Sequence, residues 1–258
     1  MKLPLTQTVL LLGLASVLSA SDLTTMALTK TDEVEVKQKL KAYESGKITL
    51  EELTEKGGAE WDRKLITYYL SHTNEVAVTM KLPIGRCFAV FGSFPEAARL
   101  AEDYVQVYSN DWRGWKIVGV ANFSIGNFDR ALVACTNAVK LGNEGSYGPL
   151  AFVALKLDRL DIVRDIVPRL LELKNATPTK EIKPLDIVLA LVLYSLKADQ
   201  PDVFVKAVNG VNIKDIMRRE DLKHFVSAGC EQFKSKEVQK ICQQIEAAEQ
   251  SGFNTEKK

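Results

Sequence analysis

The chain has 258 residues, 46% of them hydrophobic and 26% charged, a composition that excludes a disordered tail and supplies a core for one or two domains. Its 34 Lys and Arg against 33 Asp and Glu leave a formal charge of +1, near zero once Lys2 is set aside with the segment described next. So flat a balance argues against nucleic acid or an anionic membrane as a partner held by overall charge, because such binding needs a basic excess to release counterions.

Residues 1–20 begin with Lys2, run apolar from Val9 to Leu18 and end on the small residues Ser19 and Ala20, the layout of a secretory signal peptide. The alternative is an uncleaved anchor, for which the apolar run is short of the ~20 residues a span needs. Ser21 stands where a bacterial lipoprotein box requires its cysteine, so no lipid anchor is expected. No later stretch is long and apolar enough to cross a bilayer. The expected mature product is soluble and exported, periplasmic or secreted, from a bacterium.

Residues 21–31 are polar and aperiodic and are expected to be loose, as are 252–258. Helical spacing follows in Val34–Ala42, Leu50–Leu53 and Trp61–Leu70, which make residues 21–77 an N-terminal helical segment. Glu51, Glu52 and Glu55 cluster like a cation site but read more simply as a helix start, with Thr49 as N-cap, Glu52 closing a capping box and Gly57 ending the helix. His72 falls at a helix end, where it caps or is solvated.

The strongest signal is a period of 34 residues. Gly85, Gly92, Phe94 and Ala97 recur as Gly119, Gly126, Phe128 and Ala131. The physical content is a helical hairpin. Gly119 allows two helices to approach closely, Gly126 ends the first helix, Phe128 fills the turn, and Ala131 with Ala138 lets the second helix pack tightly. Pro83 lies early in the first copy and is expected to shorten its first helix or start it late.

With Trp115 and Val118 added, these residues resemble the tetratricopeptide repeat. The second copy, from about Trp112 to Asn143, carries the resemblance best; it departs at Asn122 and Cys135, where the family prefers aromatics, and at Asn143, where it prefers proline. A third copy places Leu160 where Phe128 stands, with Pro168 expected to kink its second helix, so the repeats span 78–177. Two more hairpins, in 184–208 and 221–245, belong to a C-terminal part, 178–258, with a loose tail. The expected fold is all-α, antiparallel hairpins stacked as an α-solenoid like that of the tetratricopeptide family.

Export makes the four cysteines candidate disulfides. Cys230 and Cys242 lie on the apolar faces of two successive helical patterns, so folding the helices together brings the sulfurs near one another; two buried free thiols are the alternative. Cys87 and Cys135 are expected to stay unpaired. Of the sequons at Asn122 and Asn175, only Asn175 suits a glycan, and only in a eukaryote, because Asn122 sits at a packing position. Catalysis is not expected. His72 and His224 are the two histidines, His224 reads as a packing residue beside an apolar face, and no CxxC pair, phosphate loop, GxGxxG or GxSxG is present. No metal and no cofactor are expected.

The resemblance implies that first helices line a concave groove that holds a partner. Transferred to this sequence, the groove takes Thr79, Leu82, Arg86, Ala89 and Val90 from the first copy and Arg113, Lys116, Val120, Phe123 and Ser124 from the second. Phe152, Leu155 and Lys156 come from the third. Arg86, Arg113, Lys116 and Lys156 would make it moderately basic, with Phe123 and Phe152 as apolar anchors, suited to an acidic or amphipathic peptide. The expected function is a non-catalytic scaffold that binds a protein or peptide, or itself. The alternatives are an assembly protein of an envelope complex acting through its convex face or terminal hairpins, and an accessory subunit of an enzyme.

Overall fold

The computed structural model describes residues 27–54 and 58–250; the signal-like segment, Gly57 and the C-terminal tail lie outside the described residues. Within these, the secondary structure is helical with no strand, and it forms two compact units that divide between Asn143 and Glu144.

The first unit contains α1 (Lys30–Glu44), α2 (Leu50–Thr54), α3 (Gly58–Ser71), α4 (Val78–Val90), α5 (Phe94–Val107), α6 (Trp112–Ser124) and α7 (Phe128–Lys140). Helix α1 starts earlier than its sequence suggests. The Asp32 amide donates to Thr29 Oγ1 at 3.1 Å and the Thr29 amide donates to Asp32 Oδ2 at 3.0 Å, a capping box that orders the chain from residue 29. The box expected at Thr49 is present in the same form, with bonds of 3.1 and 3.0 Å to and from Glu52.

From α4 onward each helix packs on the next, and α4 also packs on α6. The turns inside the two hairpins are alike. Gly92 and Gly126 take φ of 77° and 83°, a left-handed conformation that costs glycine nothing sterically. One residue later the Ser93 amide reaches back to the Phe88 carbonyl at 2.9 Å and the Asn127 amide to the Asn122 carbonyl at 2.8 Å, satisfying carbonyls the helix end would leave open. Ala97, Ala131 and Ala138 are fully buried, as are Leu65, Ile66, Leu82, Leu100 and Val118. Pro83 neither delays nor shortens α4, which runs through it from Val78: it deletes a single bond, to the Thr79 carbonyl, one turn inside the helix.

The second unit opens with a 3₁₀ turn (Glu144–Ser146) and contains α8 (Tyr147–Lys156), α9 (Leu160–Leu173), α10 (Pro184–Ala198), α11 (Pro201–Val208), α12 (Ile213–Arg218), α13 (Glu220–Gln232) and α14 (Lys236–Gln250). Helices α8 to α11 repeat the neighbour pattern of α4 to α7. The hairpin turns recur too, with aspartates in the left-handed position: Asp158 at φ 59° and Asp199 at φ 52°. The Arg159 amide returns to the Ala154 carbonyl at 2.8 Å and the Gln200 amide to the Ser195 carbonyl at 2.9 Å. Helix α10 is the centre of this unit. Every residue from Ile187 to Leu196 is buried, because α8, α9, α11 and α13 all pack against it. Helix α9 is continuous through the exposed Pro168.

Helices α13 and α14 are joined by a disulfide between Cys230 and Cys242, whose Cα atoms are 5.8 Å apart. Helix α13 also approaches α11 closely, since a Cβ on Gly229 would run into the Phe204 ring.

Candidate binding surface

The residues of the repeat signature come together as hairpins. A Cβ on Gly119 would meet the Cys135 sulfur at 2.8 Å, and one on Gly85 would meet Leu100 Cβ at 3.4 Å. Phe94 packs partly buried against the core, and Phe128 meets Phe123 edge to face at 5.3 Å. Trp115 donates from Nε1 to the Ser109 carbonyl at 2.7 Å, and the Arg130 guanidinium lies 5.3 Å from its ring centre.

The residues proposed to line a groove divide into different roles. Leu82 and Leu155 are core, at 0% and 1% exposure, and are withdrawn from any surface. Arg86 is half-buried and donates to the buried Thr54 hydroxyl of α2. Arg113 is chelated by Asp111, with Nε at 2.9 Å from Oδ1 and Nη2 at 2.7 Å from Oδ2. Lys116 and Phe123 are half-buried on α6; Phe152 is half-buried and Lys156 exposed on α8 of the other unit. Asp111 therefore compensates the charge of Arg113, whereas the Arg86 guanidinium is tied to a neutral hydroxyl. Cys87 and Cys135 are unpaired and buried, and burial pushes the Cys135 thiol up to about 12.

The first unit carries an open depression of about 790 Å³ that sequence reading did not find. Glu51 of α2 lines one part and the turn between α5 and α6 the rest, through Tyr104, Val107, Tyr108, Trp112 and Arg113 among others. This turn is held from several directions. The Tyr104 hydroxyl donates to Asp111 Oδ2 at 2.7 Å, and the Arg113 amide donates to Asp111 Oδ1 at 3.0 Å as Asp111 caps α6. The rings of Tyr104 and Tyr108 lie 4.8 Å apart. Burial pushes the Asp111 carboxyl up, but the bonds from Arg113 and Tyr104 outweigh it and hold the carboxyl below its usual range. Burial and the hydrogen bond to Asp111 raise the Tyr104 hydroxyl, so that group stays protonated. A tyrosine at i and i+4 near a helix end, then Asp-x-Arg at the next helix start, is the signal in the sequence.

The two histidines are placed apart from this depression. His72 follows α3, with Nδ1 3.0 Å from the Tyr68 carbonyl and its ring stacked on Tyr68 at 4.4 Å, as a C-terminal cap. His224 is exposed on α13 beside Phe225 rather than packed. Asn122 is buried, donating to the Val118 carbonyl at 2.9 Å and accepting from Asn127 at 3.0 Å, whereas Asn175 is exposed. Among the described residues no three His, Cys, Asp or Glu side chains gather as metal ligands, and no helix is long and apolar enough to cross a membrane. Comparison with known protein families and with curated proteins finds no match to this chain.

Proposed function

We propose that the protein is a non-catalytic scaffold for protein–protein interaction, exported, its hairpins stacked as a solenoid of the tetratricopeptide type. The observation that carries this reading is the pair of matching hairpins α4–α5 and α6–α7, closed by the same left-handed turn at Gly92 and Gly126, with α4 beside α6. Repeats of this kind bury a continuous core by stacking and leave one face of their first helices for a partner. Arg113 of α6, one of the residues transferred to that face, also lines the open depression.

A basic groove selecting an acidic peptide has less support than its sequence suggested, since Thr54 and Asp111 engage Arg86 and Arg113. Apolar and aromatic contacts are the better source of affinity. In-cell crosslinking with mass spectrometry on the full chain tests the reading. Crosslinks from Val90, Lys116 and Phe123 to a second protein, or to a second copy, are the expected result. Crosslinks confined to α13 and α14 would favour assembly through the terminal hairpin, and none at any position would overturn the scaffold reading.

A further inference from the structure

We infer that the depression at the α5–α6 turn docks a basic side chain, an arginine or lysine presented by a segment of the partner protein. This inference rests on the scaffold reading and names the chemistry of the partner's anchor. Tyr104, Tyr108 and Trp112 line the depression; Tyr104 is buried, so Tyr108 and Trp112 present the aromatic faces that attract a cation through their ring quadrupoles. Two carboxylates, Glu51 and Asp111, and a single guanidinium, Arg113, line it. Asp111 accepts from Arg113 and Tyr104 together, so the local charge left over is that of Glu51, which is exposed.

An incoming carboxylate would approach Glu51 with Arg113 already chelated, which disfavours an acidic anchor. An incoming guanidinium or ammonium gains Glu51 and the aromatic faces without breaking the Asp111 network. The volume, about 790 Å³, exceeds one side chain and leaves room for the residues flanking it. Val107 and Tyr108, 60% and 38% exposed, supply apolar surface for those neighbours. Because Tyr104, Asp111, Arg113 and Trp115 fix the turn before any ligand arrives, little ordering cost falls on binding.

Two measurements on the full chain test the inference. The first titrates the protein with fluorescent hexapeptide pools carrying arginine, citrulline or glutamate at a fixed central position, following the anisotropy of the peptide. The arginine pool is expected to bind at least about fivefold more tightly than the other two. Glu51→Gln is expected to weaken it about threefold and Tyr108→Ala about fivefold, with added salt weakening it further. Equal or tighter binding of the citrulline or glutamate pool, or no binding of any pool, overturns the inference. The second places a photo-crosslinking amino acid at Val107, and separately at Val90, in the native cell. Crosslinks at Val107 to a peptide containing arginine or lysine support the docking site. Crosslinks at Val90 alone overturn it and leave the scaffold reading standing, whereas none at either position, with none elsewhere on the chain, removes both.

Discussion

The Cβ that Gly119 lacks would lie 2.8 Å from the sulfur of Cys135, closer than a carbon and a sulfur can approach. At the equivalent position one repeat earlier, a Cβ on Gly85 would touch Leu100 Cβ at 3.4 Å, an ordinary contact. The same signature glycine therefore predicts two outcomes. Gly119→Ala should cost about 1–3 kcal/mol through overpacking. Gly85→Ala should be neutral or stabilising by up to ~1 kcal/mol, because alanine is the better helix former. Urea unfolding measures both, and Gly119→Ala combined with Cys135→Ala should recover most of the loss. Equal costs at the two glycines would show that packing around them is not what differs.

The hairpins α4–α5 and α6–α7 were legible in the sequence because a left-handed turn and a close helix approach leave so few residue choices that Gly92, Gly126 and Gly119 mark them directly. The next two turns were faint, since Asp158 and Asp199 hold the left-handed position and aspartate also occurs in many other settings. The start of α1 was missed although Thr29 and Asp32 have capping-box spacing, because no apolar periodicity begins there. The groove residues were least legible. Whether Leu82 faces solvent or core depends on the rotation of α4 about its axis, which a transferred pattern does not fix, and the burial of Leu82 settles it. Arg113 looked like a free charge because its partner is the capping residue just before the helix, a pairing set by the geometry of the turn.

The bond from Tyr104 to Asp111 predicts that Tyr104→Phe will loosen the α5–α6 turn while leaving the ring packing intact. Removing a hydrogen bond to a charged group should cost about 1.5–3 kcal/mol. The Asp111 carboxyl should also titrate higher, since one of the bonds that lowers it is gone. A carboxyl NMR titration of Asp111 separates this from a general loss of stability, which would leave its pKa where it was.

The Cys230–Cys242 bridge closes a short loop, spanning a sequence separation of 12 residues between α13 and α14. In the chain-entropy model such a closure contributes about 3 kcal/mol. Cys230→Ser with Cys242→Ser should lower the stability of the second unit by about that amount and leave the unfolding of the first unit unchanged. Hydrogen exchange resolved by peptide reads the two units separately, and reduction with dithiothreitol should reproduce the double variant. Loss of protection in α4 to α7 would contradict this.

Lys64 and Thr29 hold the Asp32 carboxyl at about 2, below the 3.8 of a free aspartate. Because the folded value is the lower one, the stabilisation is complete above the unfolded value and is lost as pH falls from about 4 to about 2. Replacing the amine with Lys64→Met should bring the Asp32 titration back toward its free value and flatten the acid limb of the stability curve, read by urea unfolding across that range. An unchanged Asp32 titration would assign the shift to the capping box alone.

Asp62 responds to pH with the opposite sign. Burial raises its carboxyl, against the lowering influence of a 3.3 Å bond from the Cys87 thiol and of the Arg86 charge. A raised folded pKa means that the unfolded chain ionises first, so stability present below the unfolded value of 3.8 is lost as pH rises through the folded pKa. Asp62→Asn keeps an acceptor for the Cys87 thiol and removes the ionisation. The variant should therefore gain on the wild type as pH climbs from 3 to about 7, in urea unfolding experiments paired at each pH. A gain that shrinks with rising pH would instead mean that attraction to Arg86 outweighs the burial of the carboxylate.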